Sequence, residues 1–171
     1  MSNPQSDSPV DVAILMGSKS DLPTMKPAAD VLKRLGLRVA LRVLSAHRTP
    51  EQAAAFVQDA TASGTKVFIA GAGGAAHLAG AVAAHTLRPV IGVPIASGSL
   101  QGFDSLLSTV QMPPGMPVAT VAIGGAENAG LLAAQIIAVA DPAVAEKVAV
   151  EREARRKKVL ETDAEVRGLA D

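Results

Sequence analysis

A short apolar run followed by a segment of helical period recurs five times along this chain, and that alternation constrains the fold more than any other feature. Residues 10–16 (VDVAILM) are a nearly continuous apolar run ending at Gly17, the pattern of a buried strand. A helix is expected over 21–35, with Leu22, Met25, Ala29, Leu32 and Leu35 on one face and Gly36 as its stop. The Val/Leu-rich alternation of 37–44 predicts a second strand. Thr49, Pro50 and Gln52 then predict an N-cap, a first-turn proline and a capping box, opening a helix that runs to 63–64. Further strands are expected at 67–70, 89–93 and 118–123, and further helices at 76–86, 102–111 and 127–140. Asp141 and Pro142 cap a last, charged helix. Strands separated by helices pair in parallel and need cover on both faces, so the expected fold is α/β: a three-layer, doubly wound, flavodoxin-like sheet with a C-terminal helix extension. The organisation read from this is a flexible N-terminus (1–9), a flavodoxin-like catalytic domain (10–140) and a charged helix (141–171).

Charge is concentrated at the end of the chain. Residues 141–171 hold 15 of the 32 charged side chains, yet 16 basic and 16 acidic residues cancel overall. Zero formal charge removes the electrostatic footprint of duplex nucleic acid or an anionic membrane surface. The run 151–158 (EREARRKK) reads as a solvated helix with Glu and Arg paired three or four apart. Phe56, Phe68 and Phe103 are the only aromatics, too few for a base-stacking platform. Without cysteine there is no disulfide framework, thiolate nucleophile or thiolate-ligated metal. The first nine residues (MSNPQSDSP) lack the pattern of a signal peptide, and no apolar stretch approaches the ~20 residues that span a bilayer, so the chain reads as cytoplasmic. Alanine, 33 of 171 residues, makes up much of the apolar fraction. So many small side chains give one subunit a modest core and point to association with further copies.

In an open α/β sheet, ligands bind beyond the carboxyl ends of the strands, at the switch point. The chemistry-bearing residues follow the first three strands. After strand one, Gly17, Ser18 and Asp21 offer a glycine turn, a hydroxyl and a carboxylate at a helix start. They suit either a phosphate and sugar hydroxyls or a plain cap. After strand two, Ser45 and Ala46 lead into His47 and Arg48. Arginine grips phosphate or carboxylate in bidentate fashion, and histidine serves as acid and base near neutral pH. After strand three, residues 71–80 (GAGGAAHLAG) contain a GxGxxA string in the wrong place for a dinucleotide fingerprint, with no acidic residue downstream for a ribose. The run Gly71, Ala72, Gly73, Gly74, Ala75, His77 and Leu78 reads instead as a side-chain-poor loop whose backbone approaches a small anion, with His77 on substrate or bracing the loop. His77 and His85 are eight apart with no carboxylate between them, so no metal site is expected, and His85 is placed on a helix surface. Residues 97–99 and 111–113 read as plain loops.

The strings GSKSD, SAHRTP and GAGGAAHLAG, in this order and spacing and with DSLLSTVQMP at 104–113, closely resemble the PurE family of bacterial purine synthesis, class I, over about residues 10–140. The resemblance implies a homo-octamer of flavodoxin-like subunits with active sites shared between neighbours. It implies a small-molecule substrate, an imidazole ribonucleotide whose carboxylate moves from the exocyclic nitrogen to ring carbon four through a CO2 intermediate, with no metal, ATP or organic cofactor. By the same resemblance, Ser18 and Asp21 hold phosphate and ribose, Arg48 lies on the phosphate side, and His47 is the general acid–base. The 71–80 loop closes over CO2. Two readings compete with this one. One is the class II carboxylase, which uses CO2 directly on the same scaffold; the other is a non-catalytic nucleotide- or flavin-binding module. The family usually has Pro where this chain has Ala79, which predicts a more mobile loop. The turn at 124–128 (GGAEN) is not among the strings that carry the resemblance, and a subunit-interface role for it stays open.

Overall fold

The apolar runs are buried on both faces. In the computed structural model, which describes residues 9–169, every position of β1 (Val12–Met16) and β4 (Val90–Ile95) is buried, as are the first five of β3 (Val67–Gly73). Two less buried strands, β2 (Val39–Val43) and β5 (Ala119–Thr120), complete a five-stranded sheet in the order β2-β1-β3-β4-β5, parallel throughout. The helices are α1 (Leu22–Arg34), α2 (Pro50–Ala62), α3 (Leu78–Ala83), α4 (Phe103–Val110), α5 (Ala126–Ala138) and α6 (Pro142–Arg167). This is the flavodoxin-like doubly wound arrangement, with its switch point between β1 and β3. Of the segment expected to be flexible, residues 1–8 lie outside the described residues, as do 170 and 171.

Alternation along β1 divides the core. Val12, Ile14 and Met16 face α1 and α5, where they join Met25, Val31, Leu32, Ile69 and Ile91. Ala13 and Leu15 face the other layer, with Phe68 of β3, Val57 of α2, and Leu78 and Val82 of α3. The alanines have work within the chain: Ala28 and Ala29 of α1, and Ala126, Ala129, Ala133 and Ala134 of α5, lie on buried faces. Close approach of helices thus explains a share of the alanine excess that the composition alone assigned to association.

Two elements fall well short of expectation. The fifth strand spans two residues rather than 118–123, because Pro94 of β4 has no N–H to offer the next rung of the ladder. Beyond it only Val121 N–H to Gly92 O (3.1 Å) and Gly124 N–H to Pro94 O (2.9 Å) continue the association. The third helix is shorter than 76–86, and Ala79 lies buried in its first turn rather than in a mobile loop. His85 is exposed just past that helix. The charged helix α6 carries the expected pairs Glu151–Arg155 and Glu153–Arg156. Arg155 also reaches Glu127 of α5 at 2.6 Å, and Arg34 of α1 reaches Glu151 at 3.1 Å, so the helix is tied to the body by ions as well as by buried Val144.

At the edge of the sheet away from the strand C-termini, Asp11 clamps the starts of three strands. Its carboxylate accepts from Arg38 N–H (3.0 Å) and Arg38 Nε (3.2 Å), and Lys66 Nζ stands 3.2 Å away. Burial pulls the Asp11 carboxyl upward, but the hydrogen bonds from Arg38 and Lys66 outweigh it and leave the group below its ordinary value of 3.8. A carboxyl lowered in the folded state contributes stability that is present above its unfolded value and lost as pH falls through the folded one. Asp11→Asn is therefore expected to cost about 1–3 kcal/mol at neutral pH. That difference from wild type should shrink below about pH 4. Urea midpoints measured from pH 7 to pH 3 check this; a constant difference would contradict it.

Candidate active site

Each loop at the switch point is shaped by its own small polar residues. After β1, Ser18 and Asp21 form a reciprocal capping box around a single 3-10 turn (Lys19–Asp21). Ser18 N–H donates to Asp21 Oδ2 at 2.9 Å, and Ser18 Oγ accepts from Ser20 N–H at 3.3 Å. The cap and a ligand role are compatible, because Asp21 lines the cleft and its Oδ1 has only the weak 3.4 Å contact from Ser20 Oγ.

After β2, the box expected between Thr49 and Gln52 is absent. Thr49 makes no side-chain cap to α2 and turns back instead: its Oγ1 accepts from Ser45 N–H (2.8 Å) and donates to Ser45 O (3.2 Å). Ser45 Oγ in turn accepts from His47 N–H (3.3 Å) and Arg48 N–H (3.2 Å). Two hydroxyls thus lock a tight turn from both ends, the local competition with helix geometry that Ser and Thr favour. The turn presents His47 and Arg48 outward, and Arg48 Nη2 donates to Gly17 O at 2.6 Å, joining the second loop to the first.

The third strand runs three residues further than expected, because Gly71, Ala72 and Gly73 continue the ladder with Val93, Pro94 and Ile95. Gly71 faces the core: a Cβ there would collide with the Met25 side chain. A Cβ on Gly73 would lie 2.7 Å from Ser97 Oγ, and Gly74 turns the chain with φ +62°. His77 then opens α3, and its ring reaches across to His47. Nε2 of His47 and Nδ1 of His77 are 2.8 Å apart with the rings perpendicular. One ring donates and the other accepts, so the contact holds only while one of those two nitrogens is unprotonated.

These loops enclose a cleft of about 350 Å³ lined by Gly17, Ser18, Asp21, Ser45, Ala46, His47, Arg48, Ala72, Gly73, Ala75, His77, Leu78 and Ser97. Of the residues singled out in the sequence, Gly71 and Gly74 are not on this wall; Gly71 serves packing and Gly74 the turn. Ser97 is the addition. Nothing in its own neighbourhood marks it, since it reaches the wall only through the pairing of β3 with β4. The arrangement sets an arginine, hydroxyls and backbone groups, chemistry suited to an anion, beside a pair of imidazoles able to move one proton. Among the described residues no group of three or more His, Cys, Asp or Glu is placed to hold a metal, and no helix is long and apolar enough to cross a membrane.

Fold and cleft together define an open α/β protein with a polar cleft centred on two imidazoles at its switch point. Residues 11–158 match the AIR carboxylase family model, and the chain belongs to that family. It is 56% identical over 154 residues to the N5-carboxyaminoimidazole ribonucleotide mutase of Brucella melitensis, covering 89% of this chain and 95% of that protein. With the protein of the same name from Synechocystis it shares 53% over 158 residues, 92% and 90% of the two chains. The crystal structure of Treponema denticola PurE superposes with a TM-score of 0.82 at 34% identity, covering 90% of this chain and 96% of that one.

Proposed function

We propose that this chain is an N5-carboxyaminoimidazole ribonucleotide mutase of purine biosynthesis, moving a carboxylate from the exocyclic nitrogen to carbon four of the imidazole ring with His47 as general acid–base. The observation that carries the chemistry is the His47 ring, backed by His77 at 2.8 Å, in a cleft whose other polar side chains are those of Ser18, Asp21, Ser45, Arg48 and Ser97. Breaking the N–C bond leaves CO2 and a nitrogen that gains a proton; forming the C–C bond leaves a proton on carbon four that must depart. One is given and one taken, so a single imidazole closes the cycle with no net proton change. Ser18 and Arg48 take the phosphate, and Asp21 accepts from the ribose hydroxyls. The side-chain-poor stretch of Ala72, Gly73 and Ala75 on the cleft wall lets backbone approach the carboxylate closely and leaves a dry surface around it.

We further assign it a homo-octameric assembly with sites completed by neighbours. Supporting this, Leu100, Phe103, Leu107 and Val110 form an exposed apolar face on and beside α4. Because a phosphorylated substrate does not cross a bilayer unaided, the cytoplasm is its place of action. The deciding experiment supplies each ribonucleotide in turn without ATP or metal, beside light scattering for subunit number. Conversion of the N-carboxylated substrate without bicarbonate is expected; activity only on aminoimidazole ribonucleotide plus bicarbonate would replace the mutase by the direct carboxylase. Arg48→Ala is expected to raise KM by about 10- to 100-fold, the loss of a charge-assisted hydrogen bond, with kcat within a few fold. A changed kcat at constant KM would move Arg48 from binding to chemistry.

A further inference from the structure

We propose that Ser108 of α4 is a positioning residue for the imidazole pair: its hydroxyl anchors the turn after β3 and so places His77 against His47. This rests on the reading of His47 as the acid–base. Ser108 Oγ accepts from Ala76 N–H at 3.0 Å, across 32 residues of sequence, and lies 3.4 Å from Gly74 O. A serine hydroxyl has one proton, and here it goes to the backbone of its own helix, where Asp104 O is 2.9 Å away. The lone pairs are therefore free to hold the Ala76 N–H, and Ala76 is itself buried. The next residue is His77, whose N–H donates to Ala75 O (2.9 Å) and whose carbonyl takes the first bond of α3 from Ala81 N–H (2.9 Å). The turn is thus held by α4 immediately before His77 and by α3 immediately after it. The His77 side chain makes no cap to its own helix and is left to meet His47.

The anchor is firm because α4 is firm. Ser105 Oγ donates within hydrogen-bond range of both Gly102 O (2.9 Å) and Ile95 O (3.0 Å), and Thr109 Oγ1 donates to Ser105 O (2.7 Å). Both residues are buried against β4. Strand β4, helix α4, Ser108 and the 74–76 turn form one continuous chain of contacts ending at the imidazoles.

The test is Ser108→Ala, alone and combined with His77→Asn. Alone, it is expected to lower kcat by about tenfold, the effect of a displaced reacting group, with KM within about twofold. In the His77→Asn background, the same change should cost less than about twofold, since its effect is spent through His77. An equal cost in both backgrounds, or no loss of kcat in the first, overturns the proposal. The ring nitrogen signals of His47 and His77, followed by NMR in the intact protein, decide the placement independently of turnover. They shift together in Ser108→Ala if the anchor is real and stay at wild-type positions if it is not. Failure of the acid–base reading shows elsewhere, as normal turnover by His47→Asn, and leaves that spectroscopic comparison intact.

Discussion

His47→Asn is expected to lower kcat by about a thousandfold while the substrate still binds within a few fold of wild type. Asparagine keeps a polar amide at the mouth of the turn but cannot take or give a proton. The turn itself is built from backbone N–H groups of residues 47 and 48 on Ser45 Oγ, and from Thr49 on Ser45, none of which uses the imidazole. Removing an exposed ring from a turn held in this way should change stability by no more than about 0.5 kcal/mol. Loss of activity can therefore be read as chemistry and not as unfolding. Steady-state kinetics beside calorimetric binding of the N-carboxylated ribonucleotide make the comparison. Retention of a tenth or more of wild-type kcat would show that another group carries the proton, with His77 the first to examine. The contrast with Arg48→Ala, whose effect belongs in KM, separates the two neighbours in the second loop.

The three loops were legible because their position follows from strand order along the chain: each lies after a strand, where an open parallel sheet gathers its ligands. The partners within the site were not. His47 and His77 meet because β2 and β3 flank β1, and no local periodicity encodes which strands become neighbours. Ser97 enters the cleft for the same reason, through the register that sets Gly73 beside Ile95. Thr49 misled because Ser and Thr side chains choose between capping forward into a helix and bonding back into a turn, and the presence of Ser45 four residues earlier decides it. The fifth strand was overlong on paper because the proline that ends its ladder, Pro94, belongs to another strand. Ala79 shows the same limit: its place in a loop or in a helix depends on where the 74–76 turn is held, and that hold comes from α4.

Gly130→Ala is expected to destabilise the protein by about 1–3 kcal/mol, although alanine is the better helix former by about 1 kcal/mol. Gly130 lies in the middle of α5, where a Cβ would stand 2.5 Å from Val31 Cγ1, 2.8 Å from Ala28 O and 3.1 Å from Ala28 Cα of α1. A flexible side chain can give way; a carbonyl and a Cα of a packed helix move only if the helix moves. Trimming the one yielding contact with Val31→Ala should therefore restore little of the loss, since both contacts to the Ala28 backbone persist. Gly130→Val, with two further carbons pressed into the same gap, should be worse than either. Urea denaturation of the three variants checks the order, and a higher midpoint for Gly130→Ala would show that α1 and α5 can part without cost. Displacing α1 has a second consequence, because that helix begins at Leu22, directly after the Ser18–Asp21 cap. A variant that pushes α1 away from α5 should lose substrate affinity as well as stability, linking an alanine-and-glycine seam on one face of the sheet to the anion site at its end.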